Sequence, residues 1–375
     1  MDERIYQIAL SQLSGIGPVL SRKLLTHCGS ASAVFAEKPD LLRKISGFGA
    51  AKISLLRDKA IFKRAETELR FIEQHKLQMV FIGEKDFPDR LMHCYDSPIL
   101  LYHCGNTDLN APRIVSIVGT REPSGYGRDL CEQLVADLAA YNVLVVSGLA
   151  YGIDAIAHRT AIECKVKTLG VLAHGLDQIY PFAHRALARK MVESGGLLTD
   201  FPSNTKPDRE NFPMRNRIVA GLADAVIVVE SGESGGSLIT AEYANNYNRD
   251  VFAFPGRVGD ERSAGCLKLI RNHKAALITS AEDIANLMSW DAGSQAKLKA
   301  EILPDVSNLE PQEAHVVQLM NGSGELHLLE ISRKANLCTD TVLNVMTGLE
   351  FTGWIRSLPG QYYKLNGFST VRAVC

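Results

Sequence analysis

The sequence predicts an α/β fold with a doubly wound, mostly parallel sheet, placed between a helical N-terminal domain and a small C-terminal domain. Residues 113–288 alternate short apolar segments with amphipathic ones. The apolar segments are rich in Val, Ile and Leu without polar alternation, which is typical of parallel strands buried on both faces. The chain has 375 residues, of which 46% are hydrophobic and 22% charged, so it is long enough for two or three globular domains.

The first 80 residues are expected to be helical, because apolar residues recur at helical spacing. The expected helical segments are Ile5–Leu13, Val19–Leu25, Leu41–Ile45 and Ile53–Ile72. Two copies of the pattern apolar-x-Gly-apolar-Gly, at residues 13–17 and 45–49, resemble the helix-hairpin-helix motif, whose turn offers backbone N–H groups to a DNA phosphate. A helical bundle that binds nothing is the alternative. The local charge, 13 Lys and Arg against 8 Asp and Glu, slightly favours DNA contact.

The central region is expected to begin with a connector and to continue with seven strands. Short strands and turns are expected in residues 80–112. The seven strands are expected at Ile114–Val118, Val143–Ser147, Thr168–Leu172, Gly196–Thr199, Ala225–Val229, Val251–Ala253 and near Ala276–Ile278. Helices follow most of them, so the ligand site should lie at the carboxyl ends of the strands.

The C-terminal region has the element order of a small winged-helix domain. Residues 289–310 are expected to form a linker. After it, helices are expected at Glu313–Met320, Leu326–Ala335 and Thr339–Thr352, followed by a hairpin of Ile355–Leu358 and Tyr362–Leu365. The third helix would be the recognition helix, yet it is short of Lys and Arg. We therefore expect protein contact or weak DNA contact here, rather than sequence-specific binding to a duplex.

The segment Ala225–Glu242 predicts a phosphate site. An apolar strand runs into a Gly/Ser loop, and the loop opens a helix. Glycine lets the backbone approach an anion, and the first N–H groups of the helix point at it. Other Gly-rich loops should converge on the same sheet edge, and together they supply Arg121, Arg215 and Arg217. Tyr126 and Tyr180 offer rings on which bases could stack, with ordinary packing at the rim as the alternative.

Several enzyme classes are disfavoured by missing patterns. No GxGxxG follows the first central strand, and the second ends in Ser147-Gly148 rather than in an acid for a ribose hydroxyl, which argues against an NAD enzyme. No GxxxxGK[ST] pattern occurs, so a P-loop ATPase is also disfavoured. Asp154, His158 and Glu242 could form an acid–base set. However, Asp154 is better explained as a partner of a helix dipole and His158 as a packed residue. No catalytic residue and no cofactor are therefore assigned.

The bulk properties exclude other classes. The formal net charge is −1, so a DNA-binding surface must be a local patch. The 8 cysteines form no CxxC pair, so no metal site and no disulfide framework are expected. No signal peptide and no apolar run of membrane-spanning length are seen, so we expect a cytoplasmic protein without a membrane partner.

Long motifs closely resemble the DNA-processing protein A family (DprA, also called Smf). The motifs are Ser116–Arg121, Val146–His158, Gly175–Pro181, Phe212–Leu222 and Ser234–Glu242, with the connector segments Phe87–Leu91 and Ser97–Tyr102. The resemblance spans nearly the whole chain. It implies an extended Rossmann-like domain that binds single-stranded DNA without sequence preference and loads the recombinase RecA during natural transformation and recombination. It also implies a homodimer formed through that domain.

The resemblance also implies a domain layout and a set of DNA-binding residues. The layout is a helix-hairpin-helix (SAM-like) domain at 1–80, the Rossmann-like domain with its connector at 81–288, a linker at 289–310 and the winged-helix domain at 311–375. The expected phosphate- or DNA-binding residues are Gly119, Arg121, Ser147, Gly148, Gly152, Tyr180, Arg215, Asn216, Arg217, Gly235, Gly236 and Ser237. Family members tend to place a Lys near the third-strand loop, where this chain offers His174, His184 or Arg185.

A nucleotide-cleaving enzyme is the alternative function. The segment Gly235–Glu242 also resembles the nucleoside-monophosphate phosphoribohydrolases, which share this Rossmann variant and use arginine and glutamate in the active site. In that case Glu242 would be the critical acid.

Overall fold

A computed structural model describes residues 2–290, 306, 309–321 and 324–366 of the chain. Contacts divide the chain into two compact units, residues 1–291 and 292–375. Most of the predicted linker, 289–310, lies outside the described residues. Within the described ranges, no helix is long and apolar enough to cross a membrane.

Six helices build the N-terminal part of the first unit. They are α1 (Glu3–Ser11), α2 (Pro18–Cys28), α3 (Ala31–Ala36), α4 (Pro39–Leu42), α5 (Ala50–Leu55) and α6 (Lys59–Gln74). The predicted helix Ile53–Ile72 is therefore two helices. The break arises at Asp58, whose side chain accepts a hydrogen bond from the Ala60 N–H and so begins α6. Helix α3 was not predicted; Ser30 begins it in the same way.

A nine-stranded sheet forms the centre of the first unit. Its strands are β1 (Gln78–Phe81), β2 (Leu100–Gly105), β3 (Ile114–Val118), β4 (Leu144–Ser147), β5 (Thr168–Val171), β6 (Gly196–Thr199), β7 (Ala225–Val228), β8 (Asp250–Ala253) and β9 (Ala276–Leu277). The spatial order is β1-β2-β6-β5-β4-β3-β7-β8-β9. Strand β2 pairs antiparallel with both β1 and β6, and the seven strands β3 to β9 are parallel to one another. The prediction of a large, mostly parallel sheet is confirmed.

Helices cover both faces of the sheet. They are α7 (Asp89–Met92), α8 (Gly125–Leu138), α9 (Ile153–Glu163), α10 (Arg185–Ser194), α11 (Asn211–Leu222), α12 (Gly236–Asn246), α13 (Ala264–Arg271) and α14 (Ala281–Leu287). Helices α8, α9 and α14 pack on one face and α7, α11, α12 and α13 on the other. The strand order runs from β3 through β4 to β6 in one direction and from β7 to β9 in the other. This reversal opens a crevice at the carboxyl ends of β3 and β7, where ligands of such sheets bind.

The N-terminal helices and the edge of the sheet share one hydrophobic core. Ile8 and Leu10 of α1 are buried in the same cluster as Leu100 and Tyr102 of β2. Glu68 of α6 is also buried, and its carboxylate accepts hydrogen bonds from the N–H and the hydroxyl of Ser203, the latter at 2.6 Å. The helical region is therefore tied to the sheet and to the loop after β6.

The described residues of the second unit form three helices and a small sheet. Its elements are α15 (Pro311–Met320), β10 (Glu325–His327), α16 (Leu328–Ala335), α17 (Thr339–Phe351), β11 (Ile355–Leu358) and β12 (Tyr362–Leu365). The strands lie in the order β10-β12-β11, and side chains such as Val316, Ile331 and Met346 fill the core. The predicted second helix, Leu326–Ala335, begins later because Leu326 and His327 pair with β12. The winged-helix assignment stays a prediction.

Candidate nucleic-acid interface

A cavity of about 330 Å³ lies at the crevice between β3 and β7. The loops after β3, β4 and β7 line it, together with the first turns of α11 and α12. The loops converge there because parallel strands present their carboxyl ends at one edge of the sheet. Of the predicted site residues, eight line this cavity: Gly119, Arg121, Gly148, Arg215, Asn216, Gly235, Gly236 and Ser237.

The first turn of α12 forms one wall of the cavity. Gly235 begins the helix without a side-chain cap, so no side chain of the described residues caps the first turn. The Ser237 hydroxyl is buried and lies 2.8 Å from the Ser231 hydroxyl, and the Asn216 amide donates to the Gly236 carbonyl at 3.2 Å. These bonds fix the loop around an uncapped, electropositive helix end, which is suited to an anion.

Arg121 supplies a positive charge at the mouth of the cavity. Its side chain is exposed, and the guanidinium lies 5.7 Å from the centre of the Phe212 ring. The Phe212 ring in turn lies 5.9 Å from the ring of Tyr180, which is 45% exposed. A cation and two aromatic rings therefore form a continuous row beside the helix end. Such a row can contact a phosphate and adjacent bases without selecting the base.

Phe212 was not among the predicted site residues, although its segment was. The available signal was its position at the start of α11, three residues before Arg215. Sequence alone could not show which face of this first turn meets Arg121.

Arg215 lines the buried base of the cavity rather than its opening. Its side chain is buried and donates hydrogen bonds to the carbonyls of Gly148 and Val171, and at 3.2 Å to the Asn216 side chain. Burial lowers the pKa of Arg215 to about 10, while the nearby Asp154 carboxylate opposes that shift. A side chain at Gly148 would collide with this guanidinium. Arg215 therefore holds the loop after β4 in place and adds positive charge from below.

Asp154, in the first turn of α9, also holds the loop after β4 in place. Its carboxylate accepts hydrogen bonds from the N–H groups of Gly148 at 3.1 Å and Ala150 at 3.3 Å. Burial raises the pKa of Asp154, and the Arg215 charge opposes that rise. The carboxylate is thus committed to backbone donors, as expected for an acid in the first turn of a helix.

The structure does not assemble the acid–base set considered from the sequence. His158 is fully buried, and its Nδ1 lies 2.6 Å from the Thr168 hydroxyl. Burial lowers the pKa of His158 to about 3, so the ring is neutral and packed in the core. Glu242 lies on the exposed side of α12 and lines neither this cavity nor the neighbouring one.

Arg217 does not lie in the cavity wall, contrary to its expected position. It is buried on the other side of α11, where its guanidinium pairs with Asp200 at 2.5 Å and donates to the Asp96 carbonyl. Residues two positions apart on a helix do not share a face, so Arg215 and Arg217 cannot both point into the cavity. The sequence pattern located α11 correctly but could not divide its arginines between the two faces.

The remaining predicted residues support or border the site. The Ser147 hydroxyl donates to the Ile117 carbonyl at 2.6 Å and joins β4 to β3 within the sheet. Gly152 lines the neighbouring cavity rather than the first one. Three residues were candidates for the position where family members tend to place a Lys. Of these, His174 and His184 are buried, whereas Arg185 is exposed and its guanidinium lies 5.8 Å from the centre of the Phe182 ring. Arg185 is thus the accessible cation of these three.

Gly152→Ala is expected to destabilise the protein and to disorder the site. Gly152 has a φ of +77°, and an added Cβ would meet the backbone of Thr120 and Arg121. Strain at such a position costs about 1–3 kcal/mol, and the backbone clash adds to it. Urea unfolding should show the loss. Gly125→Ala is the matched control, because a Cβ there meets no atom within 4 Å, and its unfolding midpoint should stay close to that of the parent.

Comparison with known proteins identifies the family. The family model described as DNA recombination-mediator protein A matches residues 78–289, which is more than half of the chain. The chain belongs to this family. A second family model, the SAM-like helix-hairpin-helix tandem, matches residues 8–60 and coincides with the two Gly motifs.

Relatives of the recombination-mediator family support this assignment. The chain is 36% identical over 307 residues to Protein Smf of Synechocystis, covering 79% of this chain and 76% of that protein. It is 43% identical over 204 residues to the DNA processing protein DprA of Bacillus subtilis, covering 54% of this chain and 68% of that protein.

Two solved structures of the same family resemble the fold. The crystal structure of DNA processing protein A from Streptococcus pneumoniae matches with a TM-score of 0.63 and 33% identity, covering 78% of this chain and 99% of that one. The DNA processing protein A of Helicobacter pylori, studied for its single-stranded DNA binding mode, matches with a TM-score of 0.53 and 28% identity, covering 58% of this chain and 98% of that one.

Proposed function

We propose that this protein binds single-stranded DNA without sequence preference at the carboxyl edge of its sheet and mediates recombination. The observation that carries the proposal is the row of Arg121, Phe212 and Tyr180 beside the uncapped start of α12. The helix end and the guanidinium can bind a phosphate. The exposed ring of Tyr180, beside the half-buried ring of Phe212, can stack on bases that a single strand leaves unstacked. The Helicobacter pylori relative, which is described as binding single-stranded DNA, supports the same ligand class.

A preference for single strands follows from the kind of surface that the site offers. The site provides backbone N–H groups, positive charge and ring faces, none of which reads the edges of bases in a groove. Bases within a duplex are stacked on each other and are not available to Tyr180. The phosphate contacts should therefore set affinity, and any base should be accepted.

The full chain is expected to bind an oligothymidylate more tightly than a duplex of the same length, with an affinity that falls steeply with salt. Each phosphate neutralised on a single strand contributes about −0.7 to the slope of log K against log salt. Gel shifts at two salt concentrations measure both effects, and a mixed-sequence single strand serves as the control. Equal affinity for strand and duplex at both concentrations would contradict the proposal.

Two further elements of the proposal concern partners. We infer that the protein assembles as a homodimer through its Rossmann-like domain and loads a RecA-type recombinase onto the bound strand, in the setting of DNA uptake and recombination. Membership in the recombination-mediator family supports this inference. Light scattering tests the dimer, and RecA filament assembly on an oligonucleotide, with and without this protein, tests the loading.

A further inference from the structure

A second cavity, of about 460 Å³, adjoins the first and shares Arg121 with it. The loop after β3, the start of α8, the first two turns of α9 and His184 line this second cavity. Helix α8 contributes Arg128 to the lining, and helix α9 contributes Arg159. Three guanidinium groups from three different segments thus border one opening.

The charge of the second cavity is strongly unbalanced. Among the described residues that line it, Glu122 is the one carboxylate, against the three arginines. Arg128 and Arg159 are both exposed, and neither forms an ion pair with a carboxylate among the residues that the structure describes. Like charges that converge without neutralisation repel each other, and an anion with several oxygens relieves this repulsion.

An aromatic ring stands at the rim of the second cavity. Tyr151 is 49% exposed, and its ring lies edge-on to that of His184, with 5.0 Å between ring centres. The Nδ1 of His184 lies 3.0 Å from the Leu149 carbonyl, which fixes the imidazole that supports Tyr151. The second cavity therefore repeats the combination found at the first: guanidinium groups next to an exposed, supported ring.

We propose, on the basis of single-strand binding at the first cavity, that the second cavity seats another phosphodiester of the same strand. The strand would cross Arg121, with one phosphate at the start of α12 and a later one between Arg128 and Arg159. Tyr151 would offer its ring to a sugar or base beside the second phosphate. This path places Arg121 in contact with the backbone between the two seats and gives the strand a defined course over the edge of the sheet.

The experiment compares the parent with the double variant Arg128→Gln and Arg159→Gln, using fluorescence anisotropy of labelled oligothymidylate over a range of salt concentrations. The variant is expected to bind about tenfold more weakly at low salt, since it cannot form charge-assisted hydrogen bonds to the second phosphate. The slope of log K against log salt should become shallower by about 0.7 for each phosphate that the variant no longer neutralises. Both arginines are exposed, so the fold should be unaffected.

The control is the double variant Arg189→Gln and Lys190→Gln, which removes two exposed positive charges from α10 that line neither cavity. It should retain the slope of the parent. A parent-like slope in the Arg128/Arg159 variant, while the parent binds normally, overturns the second seat alone. A parent that fails to bind oligothymidylate overturns both proposals. If the variant loses affinity for dTMP but not for oligothymidylate, the cavity accepts a free nucleotide and the strand path is wrong.

Discussion

Arg121→Ala is expected to lower the affinity for oligothymidylate by about 10- to 100-fold, because the proposed strand path brings a phosphate to this guanidinium where the two cavities meet. Its guanidinium lies on the Phe212 ring and lines both cavities. The loss should be similar for every base sequence, since backbone contacts carry no sequence information. Anisotropy titrations with oligothymidylate and a mixed-sequence strand measure it.

Two control substitutions show whether the loss belongs to this position. Arg121→Lys keeps the charge but loses the flat guanidinium that lies on Phe212, so its affinity should fall between those of the parent and Arg121→Ala. Arg189→Ala removes an exposed positive charge outside both cavities and should have little effect. Thermal unfolding should be nearly unchanged in all three variants. Parent-like binding by Arg121→Ala would show that the strand does not pass this residue.

Arg217→Ala is expected to destabilise the fold by about 3–5 kcal/mol, because it leaves the carboxylate of Asp200, whose side chain is only 10% exposed, without its partner. Burial raises the pKa of Asp200 even in the intact protein, and the Arg217 charge opposes this rise. Without Arg217 the pKa of Asp200 rises further. Protonation then removes the buried charge, so the destabilisation should shrink as the pH falls toward the raised pKa and be largest at neutral pH.

Urea unfolding at neutral and mildly acidic pH measures this dependence. The double variant Arg217→Ala and Asp200→Asn removes the carboxylate charge as well, so it should recover part of the stability at neutral pH and lose the added pH dependence. A destabilisation by Arg217→Ala that is equal at both pH values, or that persists unchanged in the double variant, would show that the packing of Arg217 and its bond to the Asp96 carbonyl matter more than its charge.

Short uninterrupted apolar runs predicted the central strands well, because these strands are buried on both faces and so carry no polar alternation. Ile114–Val118 and Gly196–Thr199 have the predicted bounds. The N-terminal helices were harder to divide, since amphipathic spacing continues through the break at Asp58 and a side-chain cap leaves only a weak local signal.

The site was predicted as a set of loops, but not residue by residue. The Gly-rich loops after β3, β4 and β7 meet at one sheet edge and line one cavity, whereas the Gly-rich loop after β5 is not part of that lining. The direction of each side chain depends on helix phase and tertiary packing, which is why Arg217 was expected at the wall and was found in the core. The contact between Phe212 and Arg121 depends on how α11 packs against the loop after β3, and sequence patterns do not contain that information.

The core that joins α1 to β2 has a consequence for how the chain can be divided experimentally. Removing residues 1–80 would uncover the apolar side chains of Leu100 and Tyr102 and leave Ser203 without the Glu68 carboxylate. In this chain the N-terminal helical region therefore cannot be removed without exposing part of the hydrophobic core. Truncated proteins should be prone to aggregation, and the amides of α6 and β2 should exchange with solvent in one cooperative opening rather than in two separate ones.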